Sequence, residues 1–161
     1  MHYINNIFLA LFTYVFSLFC GAFILHRLSP PKLFGRYRRR FLFNREGCYR
    51  RLGIYRFGFL MSLGPFSYLD HHLLYSPNYH RHSLEDAMFR HFKREAEHLL
   101  AFLLLIGVAI GACFSGITWT YIILLCALNL LFNLCPFLYH QSVRLRMVAL
   151  IDRYDPPTGE S

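Results

Sequence analysis

Between Leu99 and Tyr139 the chain runs for 41 residues without a formal charge. A helix needs about 20 apolar residues to cross a hydrocarbon core of about 30 Å, so this run is too long for one crossing and about right for two. Ser115 to Thr118, reading SGIT, supplies a glycine turn between the two halves.

A second uncharged run, Ile4 to Leu25, is 22 residues long, or about 33 Å as a helix. Its N-terminal position would also suit a cleaved signal peptide. No Lys or Arg precedes it, however, no small-x-small cleavage site follows, and it is longer than a usual signal core. Bulky Phe19 before Cys20 does not fit a lipoprotein site either. A retained anchor is therefore expected. At 161 residues and 55% hydrophobic, the chain reads as one all-α integral membrane domain over 1–161. The expected spans are about 4–25, 97–114 and 118–139, with an interfacial or cytoplasmic segment over 26–96 and a short tail over 145–161.

All 17 Lys and Arg lie between His26 and His98 or after His140. The positive-inside rule then places the N-terminus outside and the C-terminus inside, and three spans satisfy it. The cluster GRYRRRFLFNR and a net charge of +8 would suit nucleic acid. Yet the cluster begins about ten residues after a span, where basic side chains meet anionic headgroups and aromatic rings settle at the interface. Anionic lipid headgroups are the expected partner, nucleic acid is not, and an anionic acyl donor also suits the charge. The five cysteines form no Cys-x-x-Cys pair and read as small buried hydrophobes.

Between the first two spans, Gly53 to Leu69 is aromatic and too short to cross, so it should lie in the interface. Tyr75 to Ser83 reads as a loop. Ser83 before Leu84, Glu85 and Asp86 resembles a capping box, so a helix is expected to start near Leu84 and continue into the second span. On that helix His91, Glu95 and His98 share one face, with Arg94 at its edge. Asn129, Asn133, Pro136, His140 and Arg144 form a matching stripe on the third span.

If those spans make a straight hairpin turning at Gly116 and Ile117, residues whose numbers add to about 233 lie level. His98 then faces Cys135, and His91 lies near Ser142. Gly107 and Gly111 form a small-xxx-small face for close packing, either within the chain or in a homodimer.

Polar groups near membrane depth are costly, and are usually paired or functional. In the plainest reading Glu95 and His98 only mark the interface, where the cost is small. The blocks FNREGCYRRLGIYRFGFLMSLGPF, REAEHLLAF and NLLFNLCPFLYHQSVRLRM change the balance. In kind and order they resemble those of the glycosyl-diaponeurosporenoate acyltransferase family. That resemblance implies a small bacterial multi-pass enzyme of the cytoplasmic (inner) membrane, which esterifies the sugar of a carotenoid glycoside with a fatty acid. The positions carrying it are Glu46, then Glu95 and His98, then Asn133, Pro136, Gln141, Arg144 and Arg146. Phe57 and Gly58 stand where the family commonly has Trp-Lys, and Leu99 where it has Trp.

Acyl transfer to a hydroxyl needs a base, and a histidine suits it. His98 is the expected base, with Glu95 orienting the ring or stabilising the imidazolium. Asn133 and Gln141 are expected to hold acceptor hydroxyls or the oxyanion, and Arg144 and Arg146 a donor phosphate. Glu46, His91 and His140 complete the expected substrate-binding set. No cofactor or metal is expected beyond a coenzyme A or acyl carrier protein thioester as co-substrate, with a lipid-linked acceptor. His80 and Glu85, spaced like a His-x4-acid motif, are read as coincidence. Two alternatives stand beside this: a non-catalytic membrane scaffold, and a metal enzyme drawing on Glu95, His98, His91, Asp70, His71, His72, His80 and His82. The second lacks the repeated Glu-x-x-His of di-iron bundles.

Overall fold

The computed structural model describes residues 2–28, 30–62 and 81–154, and those residues form helices and turns with no strand among them. The helices are α1 (His2–Arg27), α2 (Pro30–Tyr37), α3 (Glu46–Arg51), α4 (Ile54–Ser62), α5 (Arg81–Phe114), α6 (Trp119–Asn129) and α7 (Cys135–Tyr154). A π-helical turn, Leu130–Leu134, joins α6 to α7. Three stretches are long and apolar enough to cross a membrane: Ile4–Arg27, Leu84–Phe114 and Trp119–Arg153. The chain forms two compact units, Met1–Pro30 with Arg94–Phe137, and Pro31–Lys93 with Leu138–Ser161.

In the first unit α1 lays one face against α5 and α6. Ala10, Ser17, Gly21 and Leu25 are its buried positions, spaced seven, four and four apart as a helix stripe requires. Ala10 joins Leu105, Ala112, Tyr121, Ile122 and Leu125 in the core. Phe8, Phe12, Phe16, Phe19 and Phe23 point outward, as side chains facing hydrocarbon do. Polar contacts fix the level of the helices, with Asn6 Nδ2 donating to Thr118 Oγ1 at 3.0 Å and the Thr13 and Tyr121 hydroxyls 3.2 Å apart.

α5 ends at the expected glycine. Gly116 adopts φ +69°, and the Ile117 N–H returns to the Ala112 carbonyl at 3.3 Å, the closing bond of a Schellman cap. The hairpin register departs from expectation. Asn129 bonds to Phe102 and His98 to Asn133, so facing residue numbers add to 231 rather than 233, and His98 meets Asn133 instead of Cys135. Thr118 is extended, at φ −58° and ψ 135°, and an extended residue advances the chain about 3.3 Å where a helical one advances about 1.5 Å. That added advance slides α6 along α5.

The π turn has a local cause. Pro136 has no N–H for the carbonyl four residues back, and Cys135 donates instead to Leu130, five residues back.

In the second unit the start of α5 packs Leu84 and Met88 with Ile151 of α7, and Phe34 of α2 packs its ring on Phe89 and Phe92. α5 begins at Arg81, so Ser83 lies inside the helix rather than capping it. The packing of Leu84 and Met88 holds the turn ahead of them, a contribution that the local pattern does not register. α7 continues to Tyr154, well into the expected tail. Of the short aromatic stretch Gly53 to Leu69, Ile54–Ser62 is helical and 63–69 lie outside the described residues.

Candidate active site

His98 is held by a row of amides that ends on the backbone. Asn129 Nδ2 donates to the Phe102 carbonyl at 3.1 Å, and Asn133 Nδ2 donates to Asn129 Oδ1 at 2.9 Å. A carbonyl only accepts, so Asn129 must present its NH2 there and its oxygen to Asn133. Asn133 in turn offers its oxygen to His98 Nδ1, 3.4 Å away. Nδ1 is therefore the protonated nitrogen of the neutral ring, and Nε2 carries the lone pair. Asn133 sits at the π turn and is 0% exposed.

His98 lines a groove of about 380 Å³ with Arg94 and Glu97 of α5 and Val15, Leu18, Phe19 and Ala22 of α1. Gly21 makes the close approach possible. A Cβ there would lie 2.9 Å from the Glu97 carbonyl oxygen and 3.2 Å from the Ala101 nitrogen. By contrast, a Cβ on Gly107 or Gly111 would meet nothing within 4 Å, so the helices of this unit approach closely at Gly21 and not at that pair. Glu95 is buried one turn before His98.

The second unit holds the other expected residues. His91 and His140 are buried, their Nδ1 atoms 2.8 Å apart. One ring donates and the other accepts, so the contact contains a single proton. Gln141 Oε1 accepts both the Leu42 N–H at 3.0 Å and the Tyr49 hydroxyl at 2.9 Å, and the Phe43 N–H donates to the same hydroxyl at 3.3 Å. That network ties the segment before α3 to α7.

Arg144 is 0% exposed. Its guanidinium donates to the Arg40 carbonyl at 2.9 Å and lies between the rings of Phe41 and Phe92, 5.0 and 5.1 Å from their centroids. Arg146 is an exposed counterpart: its Nε bonds Glu46 at 2.9 Å, its guanidinium lies 4.1 Å from the Tyr55 centroid, and the Tyr55 hydroxyl donates to the same Glu46 oxygen at 3.0 Å. Burial pushes the Tyr55 phenol up, and Arg146 opposes the shift. Glu46 and Arg146 also line a cavity of about 400 Å³ with Asn44, Leu145, Ala149, Leu150 and Arg153.

Residues 30–153, well over half of the chain, match the glycosyl-4,4'-diaponeurosporenoate acyltransferase family. The chain belongs to that family. It is thus a membrane member of a family named for acyl transfer. No curated protein and no solved structure matches it. The region shared with the acyltransferase family contains every expected site residue and begins after α1.

Within this family member the expected residues fall into two groups, Glu95, His98 and Asn133 in the first unit and Glu46, His91, His140, Gln141, Arg144 and Arg146 in the second. The NH2 of Asn133 and the carbonyl oxygen of Gln141 bond to the protein's own groups. Sequence reasoning passed over Tyr49, whose hydroxyl is the hub of the Gln141 network, and the α1 wall of the groove. Nothing in GCYRR distinguishes a buried tyrosine from an interfacial one. Among the described residues no group of three or more His, Cys, Asp or Glu is placed to hold a metal ion, and Asp70, His71, His72 and His80 lie outside them.

Proposed function

We propose that the protein transfers a fatty acyl group from a thioester to a hydroxyl of a glycosylated isoprenoid or a related polar lipid, with His98 as general base. One observation carries this reading. The amide row from the Phe102 carbonyl to Asn133 fixes the protonated nitrogen of His98, which makes Nε2 the basic one, beside a groove open to an amphiphile. Nε2 takes the acceptor hydroxyl proton as the oxygen attacks the thioester carbonyl. Collapse of the tetrahedral intermediate expels the thiolate, which recovers that proton from the imidazolium, leaving an ester and a free thiol. Glu95, i−3 from His98, supplies negative charge for the imidazolium.

Asn133 positions the base rather than the substrate. Arg146, on the exposed side of the second unit, suits a phosphate of the coenzyme A or carrier-protein donor. Arg144 instead holds the Arg40 backbone, and Gln141 holds Leu42 and Tyr49. The distribution of Lys and Arg supports an N-out, C-in arrangement in a bacterial cytoplasmic membrane, with the donor on the inside.

The test compares lipid extracts, by mass spectrometry, from cells lacking the protein and from cells restored with wild type or with His98→Ala at equal abundance. A lipid heavier by one esterified acyl group, returning only with wild type, is the expected result. Its return with His98→Ala would remove the histidine from the chemistry.

A further inference from the structure

The groove beside His98 has two unlike ends. Arg94, Glu97 and His98 lie at one, and Val15, Leu18, Phe19 and Ala22 form a wall without a polar side chain. Gly21 against Glu97 and Ala101 fixes the level of the polar end on α1. From Ala22 to Val15 the wall runs seven residues, about 10 Å along the helix, toward the α1 end where Asn6 meets Thr118. Val15 is close to the midpoint of the apolar stretch Ile4–Arg27, so the wall descends from near one end of the span to its middle. Phe19 is 72% exposed and Val15 46%, which leaves the groove open sideways to hydrocarbon.

We infer that this α1 wall binds the hydrocarbon tail of the acceptor lipid, which enters from the bilayer, and that Val15, Leu18, Phe19 and Ala22 set which tail is accepted. The inference rests on the proposed acyl transfer for the identity of the occupant. Two further observations favour the acceptor over the donor. The polar end carries one cation and one carboxylate, which suits donating to and accepting from hydroxyls, whereas a phosphate would be repelled by Glu97. The wall is also supplied by α1, which lies outside the family-matched residues 30–153. A selectivity element on α1 therefore lies apart from the region that the family shares.

The test uses the full chain in phosphatidylcholine vesicles and a single-chain alkyl glucoside with a diazirine midway along its tail. Photolabelled residues are mapped by mass spectrometry. Label is expected on Val15, Leu18, Phe19 and Ala22 in at least fivefold excess over Phe8 and Phe12, which are also exposed. Excess unlabelled alkyl glucoside should remove that difference, and Ala22→Phe should lower groove label at least fivefold while Phe8 and Phe12 stay unchanged. Equal labelling of all exposed α1 residues, or groove label indifferent to Ala22→Phe, overturns the inference. The label requires no turnover. A labelled groove without any acylated lipid in cells would preserve the tail site and sink the acyl-transfer reading; His98-dependent acylation with uniform label would do the reverse.

Discussion

Replacing Asn133 by leucine separates two roles for its amide. The contact with His98 is a single long hydrogen bond of 3.4 Å, of a kind that contributes about 1 kcal/mol net. If it merely steadied the ring, its loss would slow transfer about fivefold. If it selects the tautomer, Asn133→Leu lets the ring carry its proton on Nε2, where it cannot act as base. A wrong-tautomer imidazole costs a serine protease about ten-thousandfold. Leucine enforces neither tautomer but leaves an Nδ1–H without its acceptor, at about 1–3 kcal/mol. The expected loss for Asn133→Leu is therefore about ten- to a hundredfold in the initial rate, measured in membrane vesicles at equal protein level with the acceptor that wild type modifies. Asn133→Asp, made together with Asn129→Leu so that no carboxylate oxygen faces Asn129 Oδ1, should retain activity within about tenfold, because a carboxylate only accepts and so holds the same tautomer. Leucine also leaves Asn129 Oδ1 buried without the donor it now has, at about 1–3 kcal/mol of stability. The double variant Asn129→Leu/Asn133→Leu removes that penalty and should be as inactive as the single one. A loss of fivefold or less in Asn133→Leu, or an Asp variant as poor as the Leu variant, refutes tautomer selection.

Gly21→Ala should destabilise the first unit by about 1–3 kcal/mol, since its Cβ would meet backbone atoms of Glu97 and Ala101; thermal unfolding in detergent measures it, and an unchanged midpoint would show that the helices part without cost. Arg144→Lys should cost about 2 kcal/mol or more, because an ammonium keeps the charge but not the broad guanidinium that reaches both the Phe41 and Phe92 rings and the Arg40 carbonyl. Tyr49→Phe should cost about 1–2 kcal/mol by removing the hydroxyl that joins Phe43 and Gln141, again read from unfolding. Glu46→Gln, at an exposed pair with Arg146, should change stability by less than about 1 kcal/mol.

What the sequence made legible follows from what lipid forbids. Charges are excluded from a span, so Ile4 to Leu25 and Leu99 to Tyr139 announced three crossings, and Gly116 announced the turn because its positive φ suits few other residues. Two faces were also legible, His98 with His91 and Glu95 on one helix and Asn129 with Asn133 on the next, since helical spacing fixes each. The partners were not. Spacing places Asn133 on a face but does not say whether its amide meets a substrate or His98, and a straight hairpin misplaced the register because the extended Thr118 is invisible to composition. Pro136 was legible as a member of the stripe, yet its missing N–H reshapes the turn that carries Asn133. α2 and α3 are short helices whose stability comes from contacts far along the chain, such as Phe34 on Phe89 and Phe92, and a local reading has no access to those.

The surroundings also explain why the polar row ends where it does. In water, an Asn-His pair exchanges partners freely, and either face of the amide serves. Within an apolar bundle each donor must find its acceptor in the protein, so a row of amides extends until it reaches a group that can only accept. Here that group is the Phe102 carbonyl, and the fixed polarity of one backbone oxygen propagates through Asn129 and Asn133 to the ring of His98. Reversing the row would set an amide oxygen against that carbonyl and leave an NH2 facing His98 Nδ1, forfeiting about one hydrogen bond at Phe102 alone. A histidine near the water boundary, without such a row, would hold either tautomer. The placement of Asn133 level with His98, and of Asn129 one turn deeper against Phe102, is thus what turns an interfacial histidine into a base of defined orientation.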